Sequence, residues 1–499
     1  MPKIEGERKV PQRDERLGWT GDIQVFSPTA SYLYDCNGFL ASWLVDLALE
    51  QEAAGGVPYV VPDVLNSATV PAAAWGDAAT VVPWVLHQRF GDQKVLDTQY
   101  PSMKAWVDQL LALAGERHLW EGGFQFGDWL DPDAPPQLPG RAKCDHDLVA
   151  SAYLFRSTSI FARVAELRGR TEEARSYEAK AEQVRQAWLA EYVTPAGRVM
   201  SDAQTGYALA IEFDIVTDPD LLARMGQRLA WLVRRDGYRI GTGFVGTPLI
   251  ADALTRTGHL REAGRMLQQT ECPSWLYPVT MGATTVWERW DSMREDGSLN
   301  PGEMTSFNHY ALGAIADWLH RVVAGLGSAS PGYKHLEIAP LPLPGLHWAR
   351  TRHVTPYGIA EVGWRRTDAG IIVNATVPAN TTATVRLPGR GEFDVSAGVH
   401  EWRVPVSPEP VPGPVTGSTS LAAIMDDPEA YTTILDAFRR VDPAMARDFT
   451  RSLAWVPNQS LQGAFALISS TAAGEVEAGL AALNECRRLD RVGSGAARD

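Results

Sequence analysis

Apolar residues recur at helical spacing through most of the first three hundred positions. After Ser27-Pro28 they fall at Tyr32, Phe39, Leu40, Trp43, Leu44 and Leu47. The dipeptide offers a capping hydroxyl and a first-turn proline, so a helix is predicted to start there. Further amphipathic stretches run over Trp75–Phe90, Lys94–Ala114, Asp145–Leu167, Thr171–Tyr192, Asp202–Phe213, Asp218–Arg234, Thr247–Thr257, Leu260–Thr270 and Thr305–Leu326. Roughly eleven helices, taken two by two, fit a closed ring of helical hairpins with its loops at one end. The loops Gly55–Pro71 and Gly122–Lys143 are rich in Gly, Pro, Trp and Asp, a composition that carries function more often than packing.

Near Pro331 the period shortens to two. Tyr333–Ala339, His353–Thr355, Ala360–Arg365, Gly370–Val377, Thr382–Leu387 and Glu392–Val395 alternate, with turns at Pro378-Ala-Asn-Thr381 and Pro388–Gly391. They predict a small antiparallel β-sandwich ending near Val404. Pro405–Pro414 is a proline-rich linker. Beyond it, Ser420–Met425, Ala430–Arg440, Pro443–Leu453 and Gly474–Arg488 read as helices. The expected division is a lead-in over 1–12, a helical barrel over 13–328, a β-sandwich over 329–404, a linker over 405–419 and a helical module over 420–492. The last module is the expected surface for a protein partner or self-association.

The chain has 499 residues, 45% hydrophobic and 21% charged, as in an ordinary globular protein. Its net charge of −14 argues against nucleic acid or an anionic membrane as partner. No apolar run reaches membrane-spanning length, and the N-terminus has no apolar signal core. The four cysteines are scattered without metal-ligand spacing, which points to a reducing, cytoplasmic compartment and to no disulfide framework.

Tryptophan changes the picture. Many of the 17 Trp stand beside Asp, Glu, Gly or Arg rather than in aliphatic runs. Aromatic faces beside carboxylates suit sugars, whose C–H faces pack on rings while their hydroxyls bond to polar groups. Two stretches concentrate this pattern: P-Q-R-D-E-R-L-G-W-T-G-D at Pro11–Asp22 and T-T-V-W-E-R-W-D at Thr284–Asp291. Each is centred on a Glu, and together they suggest two carboxylates facing each other across a site. The competing reading makes Glu15 and Glu288 structural ion pairs with Arg13, Arg16 or Arg289. Asp63, Asp77, Asp128, Asp131 and Asp291 are candidates for hydroxyl contacts, some expected only to cap helices or order loops.

Those stretches, with A-A-W-G-D-A, F-G-D-W-L-D-P, T-E-C-P-S-W-L-Y-P-V-T-M-G-A-T-T-V-W-E-R-W-D and S-F-N-H-Y, resemble glycoside hydrolase family 78, the bacterial α-L-rhamnosidases. The resemblance runs from about Pro11 to about Trp402. It implies an (α/α)6 barrel followed by a C-terminal β-sandwich, and an inverting hydrolase of rhamnose-containing glycosides that uses no metal or organic cofactor. Carried over by motif, Glu15 is the general acid and Glu288 the general base. Arg13, Trp19, Asp22, Trp75, Trp129 and His309 match sugar-contacting positions. Trp287 is expected to support Glu288 by packing, and Trp290 stands evenly between core and site wall. The family carries Asp-Cys just before P-Q-R, where this chain has Lys9 and Val10, a charge reversal near Glu15. The family also carries β-sandwich domains ahead of the barrel. A second reading is therefore a protein that holds rhamnosides without turnover, and a third is another hydrolase specificity on the same barrel.

Overall fold

A computed structural model describes residues 16–405, 412–442, 444–446, 449, 458–465 and 469–496. They divide into two compact units, Met1–Leu229 with Ile240–Val406, and Ala230–Arg239 with Ser407–Asp499. Arg13, Glu15, Lys9 and Val10 lie outside the described residues.

The helices are α1 (Thr20–Leu33), α2 (Asn37–Ala54), α3 (Ala78–Phe90), α4 (Gln93–Ala114), α5 (His146–Leu167), α6 (Thr171–Tyr192), α7 (Gln204–Glu212), α8 (Pro219–Arg235), α9 (Thr247–Arg256), α10 (Leu260–Leu267), α11 (Tyr277–Thr280) and α12 (Ile315–Trp318). The odd-numbered helices α1, α3, α5, α7 and α9 pack each on the next. The segment Ala311–Trp318 packs on both α9 and α1 and closes an inner ring of six, the (α/α)6 barrel. Within the hairpins, α4 backs α3, α6 backs α5 and α10 backs α9. The inner helices are buried on most sides. In α5 the run Leu148–Phe155 is entirely buried, as expected of a helix enclosed on every side.

Two helix expectations are corrected. The first helix starts at Thr20, not at Ser27-Pro28, and Pro28 and Gly21 both lie inside it. Pro28 has no N–H for the Gln24 carbonyl, and the Ser27 hydroxyl donates to that carbonyl instead at 3.4 Å. The last expected helix, Thr305–Leu326, is shorter. It comprises a 3-10 turn at Ala311–Ala314, α12, and a π-helical turn at Leu319–Val323. Its expected first turn is instead paired with residues 286–288, as the Glu288–Ser306 and His309–Val286 backbone bonds show.

The strands β1 (Leu326–Ser328), β2 (His335–Ile338), β3 (Trp348–Thr355), β4 (Gly358–Thr367), β5 (Gly370–Val385) and β6 (Phe393–Val404) form one hydrogen-bonded sheet in the order β1-β2-β5-β4-β3, with β6 also on β5. The expected turn at Pro378–Thr381 is a register irregularity within the continuous β5, with Asn380 at φ +62°. Beyond that kink β5 takes β2 alongside it in parallel, the one pairing that departs from the antiparallel expectation. Trp364 of β4 donates its indole N–H to the Val323 carbonyl at 2.7 Å and fastens the sheet to the end of the barrel.

His353 of β3 is buried there, its ring 5.1 Å from Tyr32 and 4.8 Å from Tyr333. Burial, with the Arg89 and His320 charges, pushes its pKa down to about 4. The folded chain therefore holds the neutral ring, whereas the unfolded chain takes up a proton near pH 6.5. The stabilisation is full above that value and is lost as pH falls toward 4. Acidification over that window is expected to cost roughly 2–3 kcal/mol through this group. Thermal unfolding of the unmodified chain and of His353→Asn between pH 7 and 4.5 checks this; the variant should show a shallower decline.

The second unit has its own core of Leu421, Ile424, Ile434, Phe438, Val476 and Leu480. Its helices are α13 (Leu421–Met425), α14 (Pro428–Val441), α15 (Leu461–Phe465) and α16 (Ser470–Ala496). Ser420 and Asp427 cap α13 and α14 by accepting from Ala423 and Ala430 N–H. The buried Arg487 pairs with Asp427 at 2.6 Å and Glu429 at 2.8 Å. Most of the expected helix Pro443–Leu453 lies outside the described residues. Among the described residues no helix is long and apolar enough to cross a membrane, and no disulfide joins the cysteines.

Candidate active site

The start of α1 anchors one side. Trp19 precedes the helix in extended conformation and bridges to Val60. Thr20 N–H donates to the Tyr59 carbonyl and Val61 N–H to the Gly18 carbonyl, each at 2.9 Å, so the 59–61 loop runs against the helix entry. Gly21 faces Trp75, and a β-carbon there would lie 2.6 Å from the indole. A glycine at this position is a packing requirement. Gly21→Ala is expected to displace Trp75 and to cost about 1–3 kcal/mol, read as a lower melting temperature together with a shift in tryptophan emission.

Trp75 stands on a loop held by four hydrogen bonds. Ala74 has a left-handed backbone, φ +67°, and its N–H donates to Asp77 Oδ2 at 2.8 Å. Asp77, fully buried, also accepts from Trp106 Nε1 and the Ser157 hydroxyl. Gln125 Oε1 accepts from Ala73 N–H at 2.8 Å and ties the loop to the next one. The Trp75 ring stacks on Phe126 at 4.0 Å. Trp19 and Trp129 meet the same Phe126 edge-on, at 6.2 and 5.4 Å. Tyr59 and Phe124 also approach it, at 5.0 and 4.9 Å. Phe126 is thus the hub on which three expected sugar-contact residues converge. Sequence reasoning quoted it in F-G-D-W and gave it no part. Trp75 Nε1 and Gln125 Nε2 are buried and meet no acceptor among the described residues.

Asp128 joins this aromatic cluster to the far wall. Its carboxylate, 0% exposed, accepts N–H groups from Gly243 at 2.8 Å and from Val245 and Gly246 at 3.0 Å, and the Thr205 hydroxyl besides. Burial, with Asp131 nearby, pushes its pKa up to about 6. The loop it clamps, G-T-G-F-V-G at 241–246, is a further element the sequence reading passed over. Its signal was three glycines in six residues. A β-carbon at Gly243 would lie 2.3 Å from the Asp128 and Trp129 carbonyl oxygens. The clamp sets Phe244 5.3 Å from the His309 ring.

His309 completes the circuit. Its N–H donates to the Val286 carbonyl at 2.8 Å, and its Nδ1 accepts from Ala311 N–H at 3.3 Å. A neutral ring with Nδ1 as acceptor carries its proton on Nε2, which lies 3.0 Å from Asp22 Oδ1. Both side chains are buried, 0% and 3% exposed, so they face each other rather than open surface. Glu288, two residues on from Val286, is 3% exposed. Its backbone N–H donates to the Ser306 carbonyl at 2.9 Å, and its Oε2 accepts from Ser306 N–H at 3.0 Å. Trp287, 4% exposed, packs edge-on against Phe307 at 5.0 Å and Trp290 against Trp275 at 5.9 Å. Arg289 pairs with Asp291 at 2.6 Å.

All six expected site residues within the described part (Trp19, Asp22, Trp75, Trp129, Glu288 and His309) therefore belong to one connected set of loops and the first turn of α1. Arg13 and Glu15 are not among the described residues. The five aspartates weighed as hydroxyl contacts are engaged in holding loops. Besides Asp77 and Asp128, Asp63 binds Ser67 and Ala68 N–H, Asp131 binds Lys143, and Asp291 binds Arg289 and Asn300.

Comparison with known proteins agrees with this fold. The family described as bacterial alpha-L-rhamnosidase 6 hairpin glycosidase domain matches residues 10–323, and the bacterial alpha-L-rhamnosidase C-terminal domain matches residues 325–400. An alpha-L-rhamnosidase of Streptomyces avermitilis is 39% identical over 419 residues, 79% of this chain and 39% of that protein. The crystal structure of native α-L-rhamnosidase from Aspergillus terreus superposes with a TM-score of 0.76 at 42% identity, over 79% of this chain and 46% of that one. The Streptomyces avermitilis enzyme in complex with L-rhamnose gives a TM-score of 0.72 at 36% identity, over 79% and 39%. The chain spans less than half the length of each of these relatives.

Proposed function

This chain belongs to the bacterial α-L-rhamnosidase family, and from that premise we propose that it hydrolyses terminal α-L-rhamnose from a glycoside or oligosaccharide with inversion at the anomeric carbon. The observation that supports this reading is the convergence of the aromatic cluster around Phe126 with the Asp22–His309 pair and Glu288. Rhamnose is a 6-deoxy sugar with a methyl group on C5. Indole faces accommodate that methyl better than hydrogen-bonding groups do, and Trp19, Trp75 and Trp129 are assigned to it and to the C–H face of the ring. Arg13, Asp22 and His309 are assigned to the sugar hydroxyls.

Glu15 is assigned as the acid that gives a proton to the departing glycosidic oxygen, and Glu288 as the base that takes one from the attacking water. Ser306 N–H holds one oxygen of Glu288, so the carboxylate is aimed before substrate arrives. Inversion requires about 6.5–9.5 Å between the two carboxyl groups to leave room for that water, against about 5–5.5 Å for retention.

Proton NMR of an aryl α-L-rhamnoside incubated with the full chain tests the reading. Release of β-rhamnose before mutarotation is expected. α-Rhamnose as first product removes inversion. No turnover, with rhamnose still raising the melting temperature, replaces the enzyme by a protein that holds rhamnosides.

A further inference from the structure

The C-terminal sheet has a solvent face for which the roles above have no use. Side chains alternate along a strand, and the register sets Trp348, Arg350 and Arg352 of β3 on the same side as Arg365 of β4 and Arg403 of β6. Trp348 lies opposite Arg365, Arg365 opposite Ile372 of β5, and Ile372 opposite Arg403. Trp348 is 67% exposed, and all four arginines are exposed. Packing gives no reason for an indole left in water on an edge strand.

The backbone holds this face in shape. Arg366 N–H donates to the His347 carbonyl at 2.8 Å, and its guanidinium donates to the Leu346 and Leu343 carbonyls at 2.9 and 3.1 Å. The approach to Trp348 is thereby tied to β4. Gly363 stands between Arg350 and Asn374 in the register, where a β-carbon would lie 3.1 Å from the Ala349 carbonyl oxygen. The missing side chain leaves a depression in the middle of the face. Trp348 and Arg365 flank it on one side, and Arg352 and Glu361 on the other.

Charge here runs against the rest of the chain. The four arginines face two carboxylates, Glu361 and Glu401, in a protein of net charge −14. Glu361 is taken by Arg350 at 2.7 Å and Glu401 by Arg403 at 3.1 Å. Arg352 and Arg365 are in no ion pair among the described residues. Two planar guanidinium forks, of the geometry that binds a carboxylate in two-pronged fashion, are left for an anion from outside.

We propose that this face docks an acidic polysaccharide, with the C–H face of a uronate ring on Trp348 and its carboxylates on Arg365 and Arg352. The choice of a sugar polymer rests on the rhamnosidase reading, and the choice of an acidic one on the two arginines. A second copy of the chain fits poorly. Antiparallel pairing along β3 centred on Arg350, Thr351 or Arg352 sets arginine against arginine. Duplex nucleic acid, with a charge about every 1.7 Å, brings far more charge than two arginines neutralise. A uronate chain carries at most one charge per sugar.

Electrophoresis of the full chain through native gels containing polygalacturonate, dextran sulfate or neutral dextran tests the proposal. Retardation by polygalacturonate is expected, and Trp348→Ala should weaken it roughly tenfold while Trp348→Phe keeps most of it. The double variant Arg352→Gln, Arg365→Gln should weaken it as well and remove most of its salt dependence. No retardation by polygalacturonate, or equal retardation of Trp348→Ala, overturns the proposal. Stronger retardation by dextran sulfate replaces the carboxylate by a sulfate ester, and equal retardation by neutral dextran removes the role of charge; either overturns it. Turnover of phenyl α-L-rhamnoside, measured alongside, should have the same kcat/KM in Trp348→Ala as in the unmodified chain. If the unmodified chain turns over no rhamnoside, the hydrolase reading fails, and the docking face is still decided by the gels alone.

Discussion

Glu288→Gln is expected to lower kcat for every rhamnoside by about two to four decades while leaving the melting temperature nearly unchanged. The amide keeps an oxygen to accept Ser306 N–H, and the backbone bond back to the Ser306 carbonyl is untouched, so the loop keeps its shape. What is lost is the ability to take a proton from water. That loss is the same for good and poor leaving groups, because the base acts on the nucleophile. Glu15→Gln has a different signature. Nitrophenolate leaves with little protonic help and an alkoxide needs much, so the loss should grow with leaving-group basicity. Steady-state kinetics over a series of aryl and alkyl α-L-rhamnosides measures both slopes. A Glu288→Gln chain that retains turnover, or a Glu15→Gln chain whose loss is flat across the series, removes the corresponding assignment.

Asp128→Asn is expected to give the second largest effect, and it touches stability and activity together. One carboxylate now serves three backbone N–H groups and the Thr205 hydroxyl. The amide offers one acceptor oxygen and turns an NH2 toward N–H donors that have nowhere else to go. Two buried donors left unpaired cost on the order of 2–5 kcal/mol. The released segment carries Phe244, which packs against His309, so the Asp22–His309 contact loosens with it. Denaturant unfolding measures the first effect, and KM for an aryl rhamnoside should rise in the same variant. A variant with wild-type stability would show that the clamp is dispensable.

The sequence was most legible where local and global preferences agree. The helix read at Thr171–Tyr192 is found at those residues, with acidic Glu172 and Glu173 in its first turn. It was least legible where a distant contact decides. Gly21 and Pro28 argue locally against a helix at 20–33, yet Trp75 needs the bare backbone of the first and the Ser27 hydroxyl relieves the second. The expected helical turn at 305–309 is given up to pairing with 286–288, which aims Glu288. At the site, the motifs pointed to Trp19, Trp75, Trp129 and His309 because each stands in a long polar-aromatic string. Phe126 and the 241–246 loop carry no chemistry of their own, and their importance appears only when the chain brings Trp75, Trp129 and Asp128 together.

The way the inner ring closes bears on how the protein is made. Thr29 donates its hydroxyl to the Ala314 carbonyl at 2.9 Å and accepts from Asp317 N–H at 3.1 Å, a contact spanning 285 residues. The first of the barrel helices to leave the ribosome is sealed by one of the last segments of the barrel. At about 5–20 residues per second, some 15–60 s of synthesis separate the two. During that interval the apolar inner face of α1 has neighbours on one flank only. Nascent chains halted before residue 310 should therefore engage chaperones and be cut readily by protease within α1, and refolding from denaturant should be limited by this one long-range closure.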